Sequence, residues 1–404
     1  MRIEYRWLIL TSVFIVNLVF FGVQFSFGVF LKPLVAEFGW SRGETSLAYT
    51  ILMVFSAIFS FVTGLLTDRV GSRKVVIGGG ILFGAGLLLS GLTTALWQLY
   101  LFFGVLCGIG KACFNSPLVV AIARWFDRNR GLAFGLSLSG TGIGTLLLPP
   151  LANGVIATAS WRVAFQVFGL LSLVLILGAG LLLKPKPAVA GATGRSDEGE
   201  QWNVSEALRT RTFWSIGFTN LFCCFSHAIP LVHIAAYATD LGATPATGAL
   251  LLAVIGGVSI GGRVLWGLLA DRFGPGRTLV ACLLTQTTSI LGLALAPQFW
   301  MLYIFAGGLG LAYGGVYPLY ATAMQYYFGN RSLGGIYGYF STGALLGMGL
   351  GGFLGGRLFD LTGSYLFAFL VSTTLGAVAV TLAALTRRPL RTVAVPAGVV
   401  AVPA

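Results

Sequence analysis

Two cations in this sequence stand where cations are costly. Lys111 and Arg263 lie inside apolar stretches, while all twelve acidic residues fall in polar breaks or at the ends of apolar stretches. A charge at the centre of a bilayer costs about 2.5–3.5 kcal/mol even on the most lenient insertion scale, so a cation there without a carboxylate of its own calls for an anion from outside. The chemistry this implies is the holding of a small organic anion. Arg263 keeps its proton and its planar fork fits a carboxylate through two parallel bonds, which makes it the substrate anchor. The bland alternative pairs it with Asp271, two helical turns further on. Lys111, midway along its stretch, is too deep to reach water. Empty and desolvated, it should shed its proton and regain it as an anion arrives, coupling proton uptake to binding. A lysine bonded to helix carbonyls, or facing a lateral water pocket, is the competing account.

Other side chains cluster around these two in the pattern. Asn115 is one turn beyond Lys111 on the same helix face, Ser259 is one turn before Arg263, and Tyr313 and Tyr317 share a face at i and i+4. Gln24 and Phe27 sit on the first apolar stretch, which should border a central site. His233 and His227 occupy the seventh, with Pro230 breaking the backbone ladder between them. His233 is read as handling substrate or protons and His227 as packing. No nucleophile stands beside a base, and no His/Cys cluster has metal spacing, so the expectation is no enzyme, no metal and no cofactor.

The elements that must position these residues are membrane helices. Of 404 residues, 56% are hydrophobic and only 9% charged, and the mean hydropathy is +0.89, which excludes a water-soluble domain. Twelve apolar runs are predicted as spans: 7–32, 45–66, 75–92, 97–123, 131–158 and 163–183, then 213–239, 247–270, 278–295, 299–327, 333–358 and 365–385. The expected division is an N-terminal six-helix bundle (1–184), a polar linker (185–211), a C-terminal six-helix bundle (212–386) and a tail (387–404). The run from Trp7 is too long for a signal peptide and lacks a clear cleavage site, so it is read as a retained helix. Five cysteines (Cys107, Cys113, Cys223, Cys224, Cys282) all lie in apolar runs, which argues against a disulfide framework. Positive charge orients the chain. Four basic residues (Lys32, Arg42, Arg162, Arg357) fall on one face, Lys111 and Arg263 lie inside, and the other 19 of 25 fall on the face holding both termini and the linker, which is therefore expected to be cytoplasmic. The net charge of +13 comes in short clusters rather than a continuous basic surface, so the expected partners are a small anion, protons and membrane lipid, with no nucleic acid.

The chain also repeats itself. Gly64-Leu-Leu-Thr-Asp68-Arg69-Val-Gly71 recurs as Gly267-Leu-Leu-Ala-Asp271-Arg272-Phe-Gly274, a shift of 203 residues, and Glu37-Phe-Gly39 recurs as Asp240-Leu-Gly242 at the same shift. Gly108-Ile-Gly110 against Gly308-Leu-Gly310 gives 200. Parallel six-helix repeats with substrate held where the halves meet are a transporter architecture. The doubled box, read as a loop after the second and eighth helices, resembles the major facilitator superfamily over nearly the whole chain. Its members have an all-α membrane fold of twelve helices. The carboxylate and arginine of each box (Asp68, Arg69, Asp271, Arg272) are expected to act as gates.

More narrowly, the stretch from Ala123 to Ala133, Leu208-Arg209-Thr210-Arg211-Thr212-Phe213-Trp214, Phe38-Gly39-Trp40-Ser41-Arg42 and Val232-His233 followed by Tyr237 to Gly242 resemble the monocarboxylate transporters and the bacterial oxalate/formate exchangers. That resemblance implies that Arg263 holds substrate and that Tyr313 and Tyr317 line the cavity. The chain also departs from the pattern: Ser259 stands where monocarboxylate transporters commonly carry aspartate, Val29 near a lysine on the first helix, and Ala344 near the exchangers' second cation. The reading is a transporter of small monocarboxylates such as lactate or pyruvate, proton-coupled, working by alternating access as a monomeric unit in the cell (inner) membrane. An organic anion exchanger of the oxalate/formate type is the rival.

Overall fold

The computed structural model describes residues 2–126, 130–184, 202–296, 298–329 and 333–389. Twelve helices are long and apolar enough to cross a membrane. In the first half they are α1 (Arg2–Phe38), α2 (Arg42–Val70), α3 (Ser72–Ser90), α4, α5 (Arg130–Thr158) and α6 (Trp161–Leu182). In the second they are α7 (Arg211–Asp240), α8 (Pro245–Phe273), α9 (Pro275–Leu295), α10 (Phe299–Phe328), α11 (Leu333–Thr362) and α12 (Tyr365–Leu385), preceded by a short linker helix, Val204–Leu208. α4 is assembled from Leu96–Leu99, a π-helical stretch Tyr100–Leu106, and Cys107–Trp125. An even number of crossings per half puts both described ends of each half on one face, here called the linker face. The opposite one is the far face.

The repeat is visible in local chemistry. Ser41 and Thr244, 203 apart, cap α2 and α8 by accepting from Glu44 N and Thr247 N. Gly71 and Gly274 end the same helices with φ of +85° and +83°, a left-handed conformation that glycine adopts without strain. Each helix therefore runs to its glycine, and the boxes form about the last two helical turns rather than the loop expected from sequence. Packing repeats too. A Cβ on Gly144 of α5 would lie 2.1 Å from Leu18 O of α1, and one on Gly347 of α11 would lie 2.4 Å from Leu221 O of α7. Only glycine lets these backbones meet so closely.

One landmark changes partner. Gly108 of α4 presses on Leu52 of α2, and its counterpart by contact is Gly310 of α10, which presses on Ile255 of α8. Leu52 and Ile255 keep the 203 shift, whereas Gly108 and Gly310 are 202 apart. The π turn, a single-turn insertion in an α-helix, accounts for the one extra residue in α4. The 200-residue match of Gly108 with Gly308 is thus replaced by a 202-residue one.

The halves pack through α1 on α7, α2 on α11 and α5 on α8. Among the described residues, hydrogen bonds and ion pairs between halves gather toward the far face: Arg42 to Asp240, Lys32 to Asp240, Arg42 and Gly43 N–H to Asp360, and Thr50 to Gly349 O. The five cysteines are buried free thiols.

Candidate functional site

Lys111 and Arg263 come from opposite halves. Lys111 is buried, and the hydrogen-bond partner of its Nζ is Met53 Sδ at 3.1 Å, a weak acceptor. Met53 in turn lies against Gly349 of α11, so this ammonium sits close to the seam between halves. Arg263 crosses that seam: a Cβ on Gly142 of α5 would meet its Nη1 at 3.0 Å. Nη1 is buried without a protein partner. Among the described residues, neither cation takes part in an ion pair.

Around them the repeat places side chains in matching pairs. At the shift of α4 to α10, Lys111 corresponds to Tyr313 and Asn115 to Tyr317. At the shift of α1 to α7, Gln24 corresponds to His227. Tyr313 is the hub: its ring stands edge-on to Phe25 of α1 at 5.7 Å and to His227 at 5.3 Å, with Tyr317 at 6.3 Å. Its hydroxyl is buried without a protein partner, as is Gln24 Oε1, while Gln24 Nε2 donates to Tyr49 Oη at 3.2 Å. A buried polar group left unbonded costs about 1–3 kcal/mol, so two of them beside two cations without ion pairs describe a surface that awaits a polar guest. Asn115 is partly exposed.

Other residues singled out from sequence are engaged in contacts of their own. Phe27 is packed inside the first half, 4.8 Å from Phe103 and 6.0 Å from Tyr49. Ser259 is buried and donates to Gly256 O within its own helix. His233 is fully buried among α7, α11 and α12, with Nδ1 3.1 Å from Tyr365 Oη and Nε2 2.7 Å from Gly352 O. Both ring nitrogens are therefore engaged, away from the central pair. His227 bonds Gln286 Oε1 at 3.2 Å and Met348 Sδ at 3.1 Å, yet also flanks Tyr313, so it belongs nearer the centre than a packing role suggests. Arg69, Asp271 and Arg272 are exposed at the linker face. The Asp68 side chain, the middle of the 123–133 motif (127–129), the linker 185–201 and the tail from 390 lie outside the described residues.

The cross-half bond that sequence reasoning missed is at the far face. Arg42 grips Asp240 through both guanidinium nitrogens, at 2.5 and 2.9 Å, while its carbon lies 3.7 Å from the Phe359 ring centre. Lys32 reaches the same carboxylate at 2.7 Å, and Asp360 accepts the N–H groups of Arg42 and Gly43 at 3.0 and 2.7 Å. Asp240 stood out in the repeat and Arg42 in a quoted motif, but nothing in either pattern joined them.

The sequence profile of the Major Facilitator Superfamily matches residues 13–265 and 218–400. Monocarboxylate transporter 13 of Rattus norvegicus is 32% identical over 374 residues, covering 91% of this chain and 85% of its own. Monocarboxylate transporter 11 of Homo sapiens is 31% identical, covering 91% and 80%. Among solved structures, a bacterial homologue of the human lysosomal transporter Spinster superposes with a TM-score of 0.77 at 17% identity, over 95% of this chain and 97% of that one, which shows a shared fold. Profile, relatives and architecture agree: the chain belongs to the major facilitator superfamily, within its monocarboxylate transporter family.

Proposed function

We propose that this membrane transporter carries small monocarboxylates of the lactate and pyruvate kind together with a proton, by alternating access between its two halves. The observation that carries this reading is the pair of cations, Arg263 from one half and Lys111 from the other, neither matched by a carboxylate among the described residues. A substrate carboxylate supplies the missing charge, accepting two bonds from the Arg263 fork. The Tyr313 hydroxyl serves as a further donor. Lys111 is the group that takes up the coupled proton, with the bound anion as its counter-charge. Support also comes from the relatives, whose names speak of monocarboxylates. The halves rock as the units 1–184 and 212–386. The excess of basic residues makes the linker face cytoplasmic, with the cell (inner) membrane as the site of action.

A second reading, exchange of a dicarboxylate for a monocarboxylate, rests on the same two cations engaging one dianion. Uptake of labelled C1 to C4 acids into proteoliposomes decides the matter. A symporter accumulates a monoacid when driven only by an inward proton gradient. An exchanger is silent until the vesicles are preloaded with substrate.

A further inference from the structure

The stretch from Leu208 to Trp214 has no part in the central site, yet it helps to build a cavity of about 800 Å³ at the linker face. The walls come from the end of the linker helix, the first turn of α7 and the residues that follow α12. Among the described residues, four arginines line it, Arg209, Arg211, Arg387 and Arg388, with a single carboxylate, Glu206. That carboxylate accepts from Asn203 N–H at 3.0 Å in a capping box that starts the linker helix. Among the described residues, none of the four arginines takes part in an ion pair.

The arginines of the tail are held in place by bonds of their backbone and neighbours. Thr212 Oγ1 donates to Arg387 O at 2.9 Å, and Ser215 Oγ bonds Thr386 Oγ1 at 2.7 Å, which pins residues 386 and 387 onto α7. Arg388 then lies with its guanidinium carbon 5.2 Å from the Tyr326 ring centre. Four like charges gathered in one concavity repel each other and focus a positive potential that an anion relieves.

The cavity's edge says which anion. Leu385, one of the lining residues, is 70% exposed, and Trp214 and Tyr326 close by are 52% and 50% exposed. Exposed tryptophan and tyrosine at a helix end mark the level of lipid headgroups, and basic pockets at that level recognise anionic ones. We infer that this pocket binds the phosphate of an anionic phospholipid, its acyl chains lying along the outer surface of α7 and α12. The site is separate from the substrate path and does not depend on what is carried.

The test is native mass spectrometry of the purified full chain, released from nanodiscs of mixed phosphatidylglycerol and phosphatidylcholine. The wild type should retain phosphatidylglycerol preferentially, and Arg387→Gln/Arg388→Gln should lower that retention by about tenfold. Arg387→Lys/Arg388→Lys, which keeps the charge, should restore part of it, and Arg69→Gln/Arg73→Gln, two basic residues elsewhere on the same face, should leave it unchanged. A melting curve matching wild type certifies that the glutamine variant is folded. Equal retention of the two lipids by wild type, or undiminished retention by the folded glutamine variant, overturns the inference. So does inorganic phosphate raising the melting temperature through these arginines with no lipid retained, which would make the site one for a free anion. Retention that emerges only after Asp197→Asn/Glu198→Gln/Glu200→Gln overturns it as well, since the linker's own acids would then be the occupant.

Discussion

Glu37 and Asp240 occupy the same place in the two halves, each just before a glycine of positive φ (Gly39 at +70°, Gly242 at +90°), and they make opposite bonds. Glu37 is held inside its own half, by Trp161 Nε1 and by Arg162, at the start of α6. Asp240 is held by Arg42 and Lys32 of the other half. The cause lies at the next helix but four. α6 and α12 both open on a serine cap, Ser160 and Ser364, but Trp161-Arg162 follows the first and Tyr365-Leu366 the second. With leucine where its twin has arginine, Asp240 finds no cation there and takes one from across the seam. The Glu37 pair is partly exposed and so contributes little to folding stability, and the Asp240 pair is the more buried of the two. A pair made only while the far face is closed nonetheless shifts the balance between conformations by its full worth.

The same break in symmetry explains the central site, and it sets the largest expected effect. Arg263 corresponds to Ser60 in the first half, so this arginine has no twin. Arg263→Gln should cut uptake of labelled acid by about thirtyfold or more, the typical cost of removing one partner of a buried charged pair, while Ser60→Ala stays within about twofold. Comparable losses in both would erase the asymmetry. Lys111→Gln comes next: uptake driven by a proton gradient should vanish, while counterflow of preloaded acid persists. Full gradient-driven uptake in that variant removes the proton role.

The carboxylate twins separate at smaller effect. With Ser46→Cys beneath the far-face cluster as reporter, Asp240→Asn should raise its labelling by a membrane-impermeant thiol reagent about tenfold, and Glu37→Gln should not. Identical labelling in the two variants would deny the contrast. Smallest and sharpest is Leu366→Arg, which offers Asp240 a cation like the one Glu37 enjoys. Labelling should rise about threefold as the carboxylate turns inward to its own half, and an unchanged rate would show that the Arg42 bond holds against an equal competitor.

Much of the architecture was legible because apolar runs of bilayer length announce themselves, and the pairs of boxes and glycines carried the two-fold repeat. Helix ends were misjudged at the boxes: charge at Asp68 and Asp271 reads as loop, but a helix continues until a residue such as Gly71 or Gly274 turns it. Within the site, Lys111 and Arg263 stood out because an uncompensated charge in an apolar run is conspicuous. His233 was ranked above His227 from sequence, yet a histidine's surroundings come from other helices: Tyr365 and Gly352 engage the first, and Tyr313 flanks the second. The far-face bond between Arg42 and Asp240 joins residues 198 apart that no periodicity connects.

The π turn at Tyr100–Leu106 has a further consequence. It acts as a spare link that lets one copy of a duplicated helix keep pace with the other while counting one residue more. Excise a single residue from it, and an unbroken α-helix like α10 takes its place, with Cys107–Trp125 keeping the facing it has now. The ammonium of Lys111 would still stand against Met53, close to the seam, on a helix one residue shorter.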